Sequence, residues 1–386
     1  MSALFTNPQR HLRERALSKD ARVLITGGAG FIGSHLANTL IEQGCSVRIL
    51  DALLTQVHGA EAQFPTYLHE EIECCSGDVR DRDAVRKALA GVTHVCHFAA
   101  AVGVGQSMYE IEHYMDVNNR GTAVLLEELI RRPVQRLVAA SSMSVYGEGL
   151  YRRGHEFFAP VMRTRERLSR GLWELDEGVG PLEPVPTPES KRVAPASVYA
   201  LSKFDQERLC LMFGSAYNVP TIALRFFNVY GPHQSLSNPY TGVLAIFASR
   251  CLNHNPPLIF EDGMQRRDFV SVWDVAQACR LALTTDHCGE AVNVGSGRSR
   301  TILEIAESVI EALNARVEPV ITGKYRIGDI RHCFADISKA RRLLDYSPRV
   351  RFEDGLAELA SWLAGVTPQD NFMTAAAELN RRGLTL

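Results

Sequence analysis

The sequence predicts a doubly wound α/β fold, in which a parallel sheet is covered by helices on both faces, with a smaller C-terminal lobe. Three observations predict it. Short, nearly continuous apolar runs alternate with amphipathic stretches from Arg22 onward; the first run ends in a glycine-rich loop; and beyond Asn228 the texture turns to proline-bearing loops with short strands. Strands that are apolar throughout belong to a sheet buried on both faces, whereas a half-exposed sheet alternates apolar and polar residues.

VLIT (23–26) reads as the first strand and 31–44 as a helix. SVRILD (46–51) and IECCSGD (72–78) read as strands, followed by a helix over 81–90 and a strand in THVCHFAA (93–100). A helix over 116–131, the strand RLVAASS (136–142), a helix over 197–217 and the strand TIALRF (221–226) complete the alternation. Past Asn228 come Pro232, Pro239, Pro256 and Pro257, a short strand in LIFED (258–262), and helices near 272–285 and 301–313. A lobe stacked at the carboxyl edges of the strands fits, because ligands of such sheets bind outside those edges.

The expected division is therefore a charged extension over 1–20, a sheet domain over 21–227 and a lobe over 228–365 with elements returning to the sheet. The sheet domain is interrupted by an insertion over 149–194 rich in arginine, glutamate and proline, and a tail over 366–386 reads as an amphipathic helix packed on the body. The arginine-rich stretch 152–170 reads as a solvated or substrate-covering flap.

Lysine plus arginine (42) nearly balances aspartate plus glutamate (44), so no global field attracts nucleic acid or an anionic membrane, and any phosphate binding must be local. The nine cysteines lack paired metal spacing and read as buried free thiols, with Cys74 and Cys75 at a strand edge. His94 and His97 flank a strand and read as structural, so no metal is expected. The first twenty residues contain no apolar core of signal-peptide length and no later run approaches a membrane span, which predicts a cytoplasmic protein.

Directly after VLIT comes Gly27-Gly28-Ala29-Gly30-Phe31-Ile32-Gly33, opening a helix. Glycine permits the tight turn and lets backbone N–H groups approach a pyrophosphate, whose charge the helix N-terminus favours. About 24 residues later Asp51 ends the next strand, where a carboxylate binds the adenosine ribose diol and repels a 2′-phosphate, favouring NAD over NADP. Asp78, followed by Val79 in SGDVRD, is placed to meet the adenine edge; on spacing alone it serves equally as N-cap of the 81–90 helix.

Tyr199-Ala-Leu-Ser-Lys203 puts a phenol and an ammonium four residues apart, on one face of a helix. A sugar hydroxyl must lose its proton while its carbon gives hydride to NAD, and a phenol with a pKa of about 10 is a poor base at neutral pH. A nearby Lys203 ammonium and the positive nicotinamide ring lower that pKa toward the working range. Ser142, about 57 residues earlier at a strand end, offers a hydroxyl to share the hydrogen bond to the reacting oxygen.

GGAGFIGSH, HFAA, VNNRGT, SSMSVYG, YALSK, RFFNVYGP, RRDFVSVWDV and NVGSG occur in the order found in extended short-chain dehydrogenases of the NAD-dependent epimerase/dehydratase family, which the chain resembles over roughly 22–365. The resemblance implies a Rossmann-type sheet, with Ser142, Tyr199 and Lys203 as a catalytic trio and Lys203 also on the nicotinamide ribose. It implies Ala99, Asn118 and Asp51 along the cofactor cleft, and Asn228 as a contact to a sugar diphosphate. Arg267 resembles the family's diphosphate-binding arginine, and Arg326 with Asp329 resembles its RxGD element near the nucleotide; planar guanidinium groups suit phosphate. Neighbouring Arg266 reads better as a solvated surface charge. The segment 237–250, with Val243 as a candidate substrate contact, and the segment 261–270 resemble bacterial epimerases of dTDP-L-rhamnose or UDP-hexoses. A homodimer through the helix carrying Tyr199 and a neighbouring helix is a further implication.

Dehydratases of the family place Asp-Glu right after the catalytic Ser or Thr, because removing water across C5 and C6 needs an additional acid and base. Here Met143 and Ser144 stand there, and neither does that proton work at neutral pH. The expected activity is an NAD-dependent nucleotide-sugar 4-epimerase acting on a nucleotide-diphosphate sugar. The alternatives are a 4-ketoreductase, which consumes free reduced cofactor, a 4,6-dehydratase, and a non-catalytic NAD-binding protein. Relatives that the chain resembles carry cysteine pairs, like a small zinc ribbon, in the counterpart of 149–194; this chain has no cysteine between 97 and 209, so packing must order the insertion.

Overall fold

Seven strands make the central sheet: β1 (Arg22–Thr26), β2 (Ser46–Asp51), β3 (Glu73–Ser76), β4 (His94–His97), β5 (Arg136–Ser142), β6 (Thr221–Phe226) and β7 (Glu290–Val294). All neighbours are parallel, in the spatial order β7-β6-β5-β4-β1-β2-β3. These features belong to a computed structural model that describes residues 17–18, 20–160, 162–176, 178–240, 242–326, 328–366 and 368–385. Residues 1–16 and 19 of the expected extension lie outside the described residues.

Alternate side chains of each strand enter two apolar layers, as a sheet covered on both faces requires. Val23, Ile25, Ile49, Val138, Ile222 and Val292 share one layer with α1 (Phe31–Glu42). Leu24, Leu50, Val95, Leu137 and Ala223 share the other with α2 (Arg82–Ala88), α3 (Gly121–Arg131) and α4 (Val198–Tyr217). The chain leaves β1 toward β2 and β3 but builds from β4 in the opposite direction, so a crevice opens between β1 and β4 at their carboxyl ends.

The strands expected over 72–78 and 93–100 shorten to β3 and β4, and their last residues become the loops at that edge. The strand expected in 258–262 is only Leu258–Ile259. The helix expected over 116–131 begins earlier, at Ile111, and holds a π-helical stretch, Asp116–Arg120, between α-helical Ile111–Met115 and α3. Past Asn228 the chain forms its own core around Leu244, Phe247, Ile259, Phe269 and Leu359, yet returns β7 to the central sheet.

The described residues of the insertion are ordered. Leu150–Arg153 pairs antiparallel with Glu156–Phe158 and Glu183–Val185 over a small core of Tyr151, Leu175 and Leu182. A solvated flap describes Arg165 and Arg170 but not Arg163, which is buried against Glu261. The tail forms the helix Phe372–Arg381, burying Phe372, Ala375 and Leu379.

Six cysteines are buried, but Cys74 and Cys288 are exposed, because β3 is the sheet edge and Cys288 lies in the turn before β7. His97 is structural: its ring nitrogens sit 2.8 Å from Thr26 Oγ1 and 2.9 Å from Thr122 Oγ1. Among the described residues no helix is long and apolar enough to cross a membrane, and no group of three metal-ligating side chains is found.

Candidate active site

A cavity of about 880 Å3 runs along the carboxyl ends of the strands, with the glycine loop on one side and the C-terminal lobe on the other. Gly27 adopts a φ of +69°, and a Cβ there would lie 2.8 Å from the Ala99 nitrogen. A Cβ on Gly28 would meet Ile49 Cβ at 2.4 Å, and one on Gly33 would meet the Gly27 oxygen at 2.4 Å. Side chains are thus excluded by the turn and by close helix–strand packing. Gly30 is the N-cap of α1 without a side-chain cap, so first-turn N–H groups of Phe31, Ile32 and Gly33 face the cavity as an anion site.

Asp51 lies beside that loop, its Oδ2 accepting from the Ala29 N–H (3.0 Å) and its Oδ1 from the Leu53 N–H (2.9 Å), with His58 Nε2 at 3.5 Å. Asp78 and Val79 line the same end. Asp78 is not the helix N-cap; Asp81 caps α2, while Asp78 accepts from Arg80. The Arg80 hydrogen bond holds the Asp78 carboxyl below its usual value. This cradle of glycine, helix N-terminus and ribose-directed carboxylate fits NAD.

Ser142, Tyr199 and Lys203 come together on the cavity wall where β5 ends and α4 begins. Ser197 caps α4 by accepting from the Ala200 N–H, which sets the first turn and the direction of Tyr199. Ser142 Oγ accepts from the Ser144 N–H (3.2 Å) and hydroxyl (2.9 Å), leaving its own proton to donate. Burial pushes the Tyr199 phenol up, opposed by its hydrogen bond with Ser142.

Lys203 departs from the expectation that it lowers the phenol's pKa. Its ammonium donates to Gln206 Oε1 (2.8 Å), and Gln206 donates to Thr122 Oγ1. Helical spacing puts tyrosine and lysine on one face, but the lysine's partner is one turn further along that face. Burial lowers Lys203 from its ordinary value to about 8.

Asn118 is the one expected site residue that does not reach the cavity wall. It lies fully buried in the π-helical stretch, where its side chain accepts from the Ala101 N–H (2.7 Å) and donates to Ala101 O and Ser202 Oγ. It ties the loop after β4 to the helix carrying Tyr199.

On the far side, Asn228 and Val243 line the cavity, and Asn228 Oδ1 is buried without a hydrogen-bond partner. Arg267 donates through Nη1 to Arg331 O (2.9 Å), and its Nη2 lies 3.6 Å from Asp329 Oδ1. Arg326 stacks 4.3 Å above the Phe260 ring, and burial pulls its pKa down against the nearby Asp329 charge. Arg266 is exposed.

Several wall residues carry no periodic signal in the sequence. His233 stacks on Tyr67 with ring centroids 3.7 Å apart, and Tyr240 meets the Tyr109 hydroxyl at 2.5 Å. Phe372, Ala375, Leu379 and Leu384 of the tail close another side, and Thr385 forms an isolated β-bridge with Arg326.

A model of the NAD dependent epimerase/dehydratase family matches residues 23–166 and 176–295. The chain is 34% identical over 355 residues to a dTDP-L-rhamnose 4-epimerase of Burkholderia thailandensis, covering 89% of this chain and 95% of that protein. It is 32% identical over 343 residues to a putative UDP-glucose 4-epimerase of Methanocaldococcus jannaschii, covering 88% and 98%. Among solved structures it superposes on a Thermus thermophilus UDP-glucose 4-epimerase in complex with NAD, with a TM-score of 0.70 and 30% identity, covering 89% and 99%.

Proposed function

Because the chain belongs to the NAD dependent epimerase/dehydratase family, with NAD as its cofactor, we propose that it is a nucleotide-sugar 4-epimerase with Tyr199 as acid and base. One observation carries this reading. Among the described residues the carboxylates on the cavity wall are Asp51, Asp78 and Asp329, the first two beside the glycine loop and the third beside Arg267. Next to Ser142 stand Met143 and Ser144, so elimination or decarboxylation lacks a proton-transferring carboxylate where the sugar reacts.

Epimerisation needs fewer groups. Held by the glycine loop and Asp51, bound NAD would supply the acceptor and then the donor of the C4 hydride. Tyr199 takes the O4 proton as the C4–H bond breaks and returns it once the 4-keto sugar has presented its other face. Ser142, with its lone pairs filled by Ser144, donates to the oxygen that becomes anionic. Lys203 lines the same wall, its ammonium held by Gln206 one turn further along the helix. Arg267, Arg326 and Asn228 hold the diphosphate, so that the sugar alone turns over. No net oxidation results, and both dTDP-L-rhamnose and UDP-hexoses satisfy this chemistry.

The test is to incubate the protein as purified, without added cofactor, with a panel of UDP-, dTDP- and GDP-sugars and to follow products by NMR and mass spectrometry. Interconversion of C4 epimers is the expected result; a 4-keto-6-deoxy product overturns the reading. We also propose a cytoplasmic homodimer, whose contact uses the exposed Leu201, Met212 and Tyr217 of α4; light scattering of the purified protein checks its mass.

A further inference from the structure

The densest polar cluster lies behind the cavity wall rather than on it, where the insertion meets the segment 329–332. Arg331 is fully buried and donates through Nη1 to Glu261 (3.0 Å) and Asp262 (2.7 Å) and through Nε to Glu174 (3.0 Å). Arg163 forms a two-pronged pair with Glu261, at 2.9 and 2.7 Å. Glu148, 2% exposed, accepts from the Tyr151 hydroxyl (2.9 Å) and lies 3.4 Å from Arg163 Nε.

Burying so many charges is a costly way to close a fold, since well-packed apolar groups of the same volume serve at least as well. What the charges provide is direction. Arg163 Nη2 donates to the Asp329 carbonyl (3.1 Å). Glu148 accepts the N–H groups of Arg331 (2.9 Å) and His332 (3.3 Å), and Glu174 contacts the His332 ring at 3.0 Å. The next carbonyls along, those of Ile330 and Arg331, accept from the Arg267 guanidinium on the cavity side. The insertion thus grips one side of a four-residue segment whose other side orients Arg267 and carries Asp329.

We infer that Glu148, just before the insertion, and Arg163 and Glu174 within it are positioning residues for the diphosphate-binding end of the substrate groove, acting through the backbone of 329–332 on Arg267 and Asp329. This rests on the reading of the substrate as a nucleoside diphosphate sugar. Guanidinium recognition of a diphosphate depends on the angle as well as the distance of its N–H groups, so a small rotation of the segment weakens binding without touching Tyr199. Glu174 is ionised for this role: burial pushes its carboxyl up, but hydrogen bonds from His332 and Arg331 outweigh that and hold it at about 2. Its side chain is half-exposed, so it can be altered without opening the core.

The experiment uses Glu174→Gln, Arg163→Ala and Arg163→Lys in the full chain. Binding of UDP and of dTDP is measured by calorimetry, NAD content is measured on the purified protein, and KM and kcat are determined on the sugar nucleotide that the wild type turns over. Glu174→Gln is expected to weaken diphosphate binding and raise KM about tenfold, the weight of a hydrogen bond to a charged group, with kcat changed less than about threefold and NAD content unchanged. Arg163→Ala is expected to do the same more strongly, with Arg163→Lys recovering part of the loss. If Arg163→Ala fails to fold, Glu174→Gln decides. Wild-type affinity in a folded Glu174→Gln variant, or equal losses in kcat and NAD content, overturns the positioning role. A wild type that binds neither diphosphate overturns the substrate reading itself, and the positioning role with it.

Discussion

Around β1 and β2 the cavity wall is main chain held by regular elements: Gly27, Gly28 and Gly33 leave no room for a Cβ, and Asp51 accepts backbone N–H groups. Past Asn228 the wall is side chains held through a loop backbone: Arg267 donates to the carbonyls of Ile330 and Arg331, and the same segment is gripped by Glu148 and by Arg163 and Glu174 of an insertion far away in sequence. A site made of backbone tolerates little change within a few residues and is indifferent to the rest of the chain. One made of cross-linked side chains can be retuned from a distance. The contrast teaches that the glycine-loop half of the cleft is built locally, whereas the proposed substrate half is built by several loops together.

Between the two halves stands Tyr199, the proposed acid and base, and its removal is expected to have the largest effect. Tyr199→Phe should lower kcat by roughly 10²–10⁴-fold while NAD content and diphosphate affinity remain, because a positioned acid/base contributes about that much. Equal losses in binding would merge the two halves that the geometry separates. Next, Gly33→Ala should strain the cofactor half alone: a Cβ at 2.4 Å from the Gly27 oxygen forces the backbone apart, at a cost of about 1–3 kcal/mol. The expected outcome is a lower melting temperature and loss of copurified NAD, read by thermal denaturation and by chromatography of the acid extract.

A smaller effect is expected in the substrate half. Removing 368–386 takes away Phe372, Ala375 and Leu379 from the wall and the bridge to Arg326. KM should rise about tenfold, equivalent to about 55 Å2 of apolar contact at ~25 cal/mol per Å2, with little change in NAD content. The smallest effect at neutral pH concerns His97, which burial lowers from 6.5 to about 3. The folded state binds its proton less well than the unfolded state, so the stability it contributes is complete above pH 6.5 and is lost as pH falls toward 3. Urea denaturation between pH 7 and 4 should show a shallower decline for His97→Gln than for the wild type.

The same contrast governs what the sequence reveals. β1, α1, β2 and the glycine loop are set by local rules of apolar runs, glycine and a helix start, and they appear where periodicity places them. Ser142, Tyr199 and Lys203 were legible as a set and line one wall, although Lys203 turns to Gln206 for reasons no spacing rule contains. Asn118 was legible as a residue but not in its placement, because the π-helical stretch turns it inward to Ala101 and Ser202. The tail's part in the cavity and the burial of Arg163 were not legible at all. Both depend on pairings across 59 positions (Arg326 with Thr385) and 98 positions (Arg163 with Glu261), where no local pattern records the partner.

The bridge between Arg326 and Thr385 bears on the order in which the molecule is made. Domains tend to fold from the N-terminus as the chain is synthesised. The glycine loop, Asp51 and Asp78 all precede β5, but the opposite wall needs β7, Arg331 and Thr385, which come later in the chain. The glycine-loop end of the cleft is thus complete in sequence well before the residues of the opposite wall, and a chain cut before Thr385 keeps the first and lacks the bridge that closes the second.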